Sequence, residues 1–129
     1  MSERSLLDTC WRVYAITLTL LGTAMWATRE DPRAPPAETL NAAHLRLRQC
    51  ATGFLGARLR RLDRIVWRAL PDSAIAIRAR VALPDTIYLH PAWRADEWTV
   101  AHEMLHIAIG RPGHPDVPFL VCGLMRPER

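Results

Sequence analysis

Two histidines spaced four residues apart, with a glutamate directly after the first, constrain this chain more than any other feature. The stretch runs His102-Glu103-Met104-Leu105-His106. Residues four apart lie on the same face of a helix. Neutral imidazole nitrogens bind Zn²⁺ at about 2.0–2.1 Å, so two rings one turn apart can occupy adjacent corners of one tetrahedron. The spacing predicts a helix that carries His102 and His106 as zinc ligands, with Glu103 beside the metal.

The flanking residues indicate where that helix begins and ends. Asp96 is a good N-cap residue, and Gly110 suits the left-handed position that commonly follows a helix. Between them, apolar residues recur at helical spacing: Trp98, Ala101, Leu105 and Ala108. This context favours a metal-binding helix over the alternative, a buried helix whose histidines only hydrogen-bond to their neighbours.

A third ligand is expected, because a catalytic zinc commonly has three protein ligands and keeps its fourth position for water. His114 is the predicted ligand. It follows Gly110-Arg111-Pro112-Gly113, whose glycines and proline suit a sharp turn that folds the chain back beneath the helix. Asp116 and Glu128 are the alternative ligands, and a solvent-facing loop histidine is the alternative interpretation of His114.

With these residues the chain resembles the zincin zinc metallopeptidases, mainly over residues 86 to 125. The order of an HExxH motif, a glycine and a later histidine is similar to that of metzincins, which place the last two closer to the motif. Gly113-His114 followed by Phe119 resembles SprT-like proteases. The resemblance implies Zn²⁺ as cofactor and a peptide or protein as substrate. Glu103 would be the catalytic base that takes a proton from zinc-bound water and later donates it.

Hydrophobic periodicity upstream predicts the remaining elements. Glu38 to Phe54 has apolar residues at three- and four-residue steps, as in an amphipathic helix. Arg64 to Leu70, Ser73 to Leu83 and Thr86 to His90 alternate as half-buried strands do. The predicted fold is an α+β, minimal zincin-like domain at residues 38–129. It contains a helix that backs the sheet, about three strands, the HExxH helix and a short C-terminal tail.

The segment from Ser73 to Leu83 alternates most strictly, and every second residue is expected to face inward: Ile75, Ile77, Ala79, Val81 and Leu83. The resemblance to zincins implies that one of the last two strands lies above the zinc, where an extended substrate can pair with it. Tyr88 and His90 point to the other face. They could polarise a substrate carbonyl, or pack on the strand surface, which is the favoured alternative.

Residues 13–28 form a run of sixteen positions without a charge. As a helix the run would span roughly 24 Å, against about 30 Å for the hydrocarbon core of a bilayer. Residues 1–28 are therefore predicted to be an uncleaved signal anchor or transmembrane segment, with a cleaved signal peptide and a soluble core helix as alternatives. Residues 29–37, charged and rich in proline, are predicted to be an exposed linker.

The cysteines bear on location. Cys10 precedes the apolar run, and Cys50 and Cys122 are the two cysteines of the predicted domain. A disulfide between them would tie the first helix to the C-terminal tail and place the domain outside the cytoplasm, membrane-anchored or secreted. Two free buried thiols are the alternative.

Charge adds little to the prediction. All seventeen basic residues are arginine, and the cluster between Arg58 and Arg68 is interpreted as a solvated junction, so nucleic acid is not the expected partner. The predicted function is a membrane-tethered or exported zinc endopeptidase. The alternatives are an intracellular SprT-like protease acting on DNA-bound proteins and a non-catalytic zinc-stabilised module that binds peptides.

Overall fold

The computed structural model describes residues 31–55 and 58–125, and from Pro32 onward they form one compact α+β unit. The elements in chain order are α1 (Ala37–Leu55), a 3-10 helix (Leu59–Arg64), β1 (Val66–Ala69), β2 (Ala79–Ala82), β3 (Thr86–Leu89), a second 3-10 helix (Pro91–Trp93), α2 (Glu97–Ile109) and α3 (Asp116–Val121). The predicted signal anchor of residues 1–28 lies outside the described residues. Within the described ranges, no helix is both long and apolar enough to cross a membrane.

The sheet has the strand order β1-β3-β2, so β3 is central. β3 runs parallel to β1 and antiparallel to β2, with Ile87 opposite Trp67 on one side and opposite Val81 on the other. Ile87 and Leu89 of β3 are buried. The apolar alternation therefore places one face of the sheet in the core, and among the described strands β2 has a neighbour on one side only.

α2 is the central element of the core, and its bounds agree with the prediction. Asp96 caps it by accepting a hydrogen bond from the Thr99 backbone N–H at 3.0 Å, and Gly110 ends it in the left-handed conformation, with φ 68°. Every residue from Thr99 to Ile109 is buried. A helix buried on all sides is expected to be apolar all round, so the polar side chains inside α2 need a separate explanation.

α1 is the predicted amphipathic helix, but it packs mainly on α2, whereas the sequence predicted that it backs the sheet. Ala43 and Leu47 are fully buried in the shared core. An ion pair also links the two helices, since Arg46 Nε donates to Glu97 Oε1 at 2.5 Å. Both side chains are partly exposed, so this pair contributes at most about 1 kcal/mol.

The strand predicted over Ser73 to Leu83 is shorter in the structure, because only Ala79–Ala82 pairs with β3. β3 ends at Leu89, and after one further bond, from the His90 N–H to the Arg78 carbonyl at 2.9 Å, Pro91 ends the ladder, so the residues before Arg78 have no described strand to pair with. They form turns instead, in which the Ile77 N–H donates to the Ala74 carbonyl at 3.0 Å. Ile75, predicted to face the core, is 83% exposed.

The predicted exposed linker of residues 29–37 is docked on the domain at its C-terminal end. Pro35 is buried. Arg94 donates two hydrogen bonds to the Ala34 carbonyl, at 2.9 Å from Nε and 2.6 Å from Nη2. Arg94 satisfies a carbonyl that a fully extended linker would leave to water.

A disulfide joins Cys50 of α1 to Cys122, which follows α3. The predicted pairing is confirmed, and the alternative of two free thiols is wrong. The bond attaches the C-terminal part of the domain to its first helix.

Removing this disulfide should destabilise the domain strongly. A cross-link over a sequence separation of 72 restricts the unfolded chain, so replacing both cysteines by alanine should lower the free energy of unfolding by about 4 kcal/mol. Urea denaturation of the full-length variant measures this, with Cys10→Ser as the control that leaves the midpoint unchanged. Denatured, unreduced parent protein should show one reactive thiol, that of Cys10; three reactive thiols would contradict the disulfide.

Candidate metal centre

Three imidazoles converge at one end of α2. His102 and His106 lie one turn apart and are buried, with 3% and 4% of their surface exposed. His114 comes from the loop before α3 and is exposed. The Nε2 atoms of His102 and His114 are 3.0 Å apart, and one ring nitrogen from each of the three residues lies within 4.8 Å of the others. The structure thus brings together the three predicted ligands, and they could hold a metal ion.

Both buried histidines are oriented by backbone carbonyls. His102 Nδ1 donates to the Leu124 carbonyl at 2.9 Å, and His106 Nδ1 donates to the Arg111 carbonyl at 2.9 Å. A carbonyl only accepts, so Nδ1 carries the hydrogen in each ring. A neutral ring with its hydrogen on Nδ1 has its lone pair on Nε2, which is the arrangement found around protein-bound metals.

The carbonyl that orients His106 is placed by the C-terminus of α2 itself. Gly110 adopts φ 68°, its N–H donates to Ile107 at 3.2 Å, and the Arg111 N–H donates to the His106 carbonyl at 3.3 Å. These two bonds form a Schellman motif. The motif turns the chain so that the next carbonyl, that of Arg111, faces the His106 ring.

A second Schellman motif, at the end of α3, does the same for His102. Gly123 adopts φ 64°, its N–H donates to Leu120 at 3.0 Å, and the Leu124 N–H donates to Phe119 at 2.8 Å. Leu124 and Phe119 are both fully buried, as is common for this motif. The residue after the glycine again supplies the carbonyl that binds a histidine Nδ1.

Two aromatic side chains hold the imidazoles from the sides. The Phe119 ring centroid lies 4.9 Å from His102, 4.8 Å from His106 and 5.0 Å from His114. Trp98 stacks on His102 at 4.9 Å, and its indole N–H donates to the Gly123 carbonyl at 3.2 Å. These contacts restrict the rotation of the rings.

Burial lowers the pKa of His106 below its usual value. The hydrogen bond to the Arg111 carbonyl opposes this effect, and the nearby His114 lowers the pKa further. His106 is therefore neutral at pH 7, which is the protonation state that a metal ligand requires.

Glu103 lies next to His102 in α2 and is 5% exposed. Among the side chains that the structure describes, it is the one buried carboxylate. Burying a charged group is costly unless partners compensate for it, so a carboxylate buried to this depth, directly after His102 in the chain, is a candidate functional group.

The other predicted candidates have different positions. Asp116 is the first residue of α3 and Glu128 lies outside the described residues, so both remain alternative ligands. The Tyr88 ring packs beneath the Arg80 guanidinium at 4.7 Å, and His90 Nδ1 accepts a hydrogen bond from the Ala92 N–H at 3.2 Å. Packing and capping are thus the contacts that the structure shows for Tyr88 and His90.

Neither the family models, nor the curated proteins, nor the solved structures compared with this chain give a match. The function has to be argued from the geometry of the site. The sequence interpretation missed the carbonyls of Arg111 and Leu124 and the stacking of Trp98 on His102. For the Arg111 carbonyl the available signal was Gly110, which follows a predicted helix, whereas Gly123 follows a helix that the sequence did not predict.

Proposed function

We propose that the chain is a zinc-dependent peptidase of the zincin type, with His102, His106 and His114 as metal ligands and Glu103 as catalytic base. The observation that carries the proposal is the convergence of the three imidazoles, with backbone carbonyls holding both helix-borne rings at Nδ1. In a tetrahedral site with Zn–N distances of about 2.0–2.1 Å, two ligand nitrogens lie about 3.3–3.4 Å apart. The 3.0 Å between His102 and His114 differs from this by a few tenths of an ångström, and nitrogens separated by up to 4.8 Å within the triad would have to approach by up to about 1.5 Å.

Zinc suits this donor set better than harder metals do. All three side chains offer imidazole nitrogen, whereas Mg²⁺ and Ca²⁺ prefer oxygen ligands. Within the side chains that the structure describes, the group has three members. Structural zinc sites usually have four protein ligands and catalytic sites three, which supports catalysis over the purely zinc-stabilised module.

In the proposed reaction, Glu103 is the residue of this chain that transfers a proton. When bound, the zinc ion acts as a Lewis acid and lowers the pKa of water towards about 7. The Glu103 carboxylate takes the proton of the attacking water as the C–O bond forms, and delivers it to the amide nitrogen as the C–N bond breaks. His102 and His106 carry their hydrogens on Nδ1, where two backbone carbonyls accept the hydrogen bonds, so each ring would offer the lone pair of Nε2 to the metal.

The sheet offers a place for the substrate. β2 packs against α2 and has a sheet neighbour on one side among the described strands. We propose that an extended peptide pairs with the other side of β2 by main-chain hydrogen bonds. The Cys50–Cys122 disulfide supports an extracytoplasmic location over the intracellular, DNA-associated alternative.

The test is metal analysis of the full-length protein, combined with hydrolysis of an unstructured substrate such as denatured casein. We expect one zinc per chain, loss of hydrolysis when a chelator removes the metal, and recovery with one equivalent of Zn²⁺. Protein that takes up no zinc would contradict the metal site. Protein that binds zinc without cleaving any peptide would support the peptide-binding module instead.

A further inference from the structure

The disulfide and the metal centre are joined by a short piece of chain at the end of α3. Cys122 is cross-linked to α1, and Gly123 and Leu124 follow it. The Leu124 carbonyl accepts the hydrogen bond of His102 Nδ1 at 2.9 Å, and the Gly123 carbonyl accepts that of the Trp98 indole at 3.2 Å. The residue whose carbonyl orients a ligand thus lies two positions after the cross-linked cysteine.

α3 depends on such attachments. It has six residues, and helices this short do not hold their shape without tertiary contacts. Its anchors are the buried Phe119 side chain, the buried Leu124 side chain and the disulfide at Cys122. Of these, only the disulfide is covalent, and it fixes the position of the Leu124 carbonyl relative to α1.

The other buried ligand has no such dependence. The Arg111 carbonyl that orients His106 is placed by the Schellman motif of α2, a helix buried along most of its length. The two histidines of the HExxH motif are therefore oriented by two separate turns. The turn at Gly110 ends the core helix α2, and the turn at Gly123 lies in the cross-linked tail.

We propose that the Cys50–Cys122 disulfide controls the metal affinity of the triad by fixing the orientation of His102. This inference rests on the metal site of the proposed function. The oxidised protein binds the metal tightly, and the reduced protein binds it weakly because the Leu124 carbonyl no longer holds the His102 ring. His102 then loses the preference that keeps its lone pair on Nε2 and directed at His114.

The redox step is a thiol–disulfide exchange. A dithiol reductant supplies two electrons and two protons and becomes a disulfide, while the Sγ–Sγ bond breaks and leaves thiols on Cys50 and Cys122. Cys50 is partly exposed, which gives an attacking thiolate access to one side of the bond, whereas Cys122 is buried. The metal centre would thereby respond to the redox state of its surroundings.

The experiment measures Zn²⁺ affinity by competition with a chromophoric chelator, using full-length protein with Cys10→Ser. The oxidised form is compared with the form reduced by a phosphine, because an added dithiol would itself bind zinc. We expect reduction to weaken binding roughly 10–100-fold, as loss of an outer hydrogen-bond partner does at other sites. The Cys50→Ala/Cys122→Ala variant should match the reduced protein. Equal affinity in both redox states would overturn the proposal, whereas an oxidised protein that binds no zinc would refute the triad itself.

Two matched glycine variants test whether the disulfide acts on the metal site through the turn at Gly123. Alanine at Gly123 has room, its nearest neighbour being Arg46 Nη1 at 3.9 Å, and alanine at Gly110 meets only the flexible end of Arg61. Both variants strain a left-handed residue, so each should weaken zinc binding in the oxidised protein. In Gly123→Ala, reduction should weaken zinc binding by less than about a further threefold, because the turn is already disturbed. In Gly110→Ala, reduction should still weaken zinc binding roughly 10–100-fold.

If reduction weakened zinc binding by the same factor in the two variants, the proposal would be overturned, since reduction would then loosen the whole site. Far-UV circular dichroism shows whether the reduced chain stays folded. If it unfolds, the oxidised Gly123→Ala protein decides the matter. Unchanged zinc affinity in that protein would overturn the proposal, because the proposal requires the disulfide to act on His102 through the turn at Gly123.

Discussion

Replacing Glu103 by glutamine is expected to abolish peptide hydrolysis and leave the zinc content unchanged. Glutamine has nearly the shape of glutamate but cannot take a proton from water. General acid–base groups contribute about 10²–10⁴-fold to the rate, so kcat/KM should fall by a factor of at least about 10². The histidine ligands are untouched, and one zinc per chain should remain. Hydrolysis of a fluorogenic or casein substrate and metal analysis of the same sample measure both quantities.

Glu97→Gln is the matched control. It makes the same chemical change six residues earlier in α2, where the carboxylate pairs with Arg46 at the helix start. Its ion pair is partly exposed, so activity should stay within about twofold of the parent and stability should fall by at most about 1 kcal/mol. If Glu103→Gln retained activity to the same degree as Glu97→Gln, Glu103 would not be the base and the proposed mechanism would fail.

Helix α2 could be predicted because its signals are local. Asp96 caps the first turn, Gly110 takes the left-handed position after the last turn, and two histidines four apart must share a face. None of these inferences depends on the rest of the chain. The disulfide could also be predicted from the sequence, since the predicted domain contains two cysteines, Cys50 and Cys122.

The carbonyl that orients His102 could not be predicted, because its position depends on tertiary placement. α3 is six residues long and contains Pro118, so it has too few turns to show a periodic pattern. Without that helix, Gly123 reads as an ordinary tail residue. The Leu124 carbonyl reaches His102 across 22 positions of sequence, a distance over which local patterns carry no information.

The strand error has a related cause. Alternation over Ser73 to Leu83 matches a half-buried strand, yet a strand also needs a partner of equal length. β3 supplies four residues before Pro91, which lacks an N–H to continue the ladder. The alternating side chains of Ile75 and Ile77 therefore lie on an exposed turn. The docked linker is a similar case, since the Ala34 carbonyl is bound by a residue 60 positions away.

Replacing His114 by alanine is expected to remove zinc from the protein almost completely under the conditions in which the parent retains it. The triad loses one of three ligands, a larger change than the loss of an outer partner, which costs roughly 10–100-fold in affinity. The fold should persist, because His114 is exposed and the core does not depend on it. Zinc affinity by chelator competition, with the unfolding midpoint of the metal-free protein alongside, separates the two effects.

His44→Ala is the control for the His114 experiment, since His44 lies on α1 beside Arg48 and Asp63 and outside the triad. It should bind zinc as the parent does. Asp116→Ala and Glu128→Ala extend the comparison to the alternative ligands. If either of these lost zinc while His114→Ala kept it, the third ligand would have been assigned to the wrong residue. If all three kept zinc within about threefold of the parent, the two helix histidines would not need a loop ligand, and the three-histidine site on which Glu103 is proposed to act would be wrong.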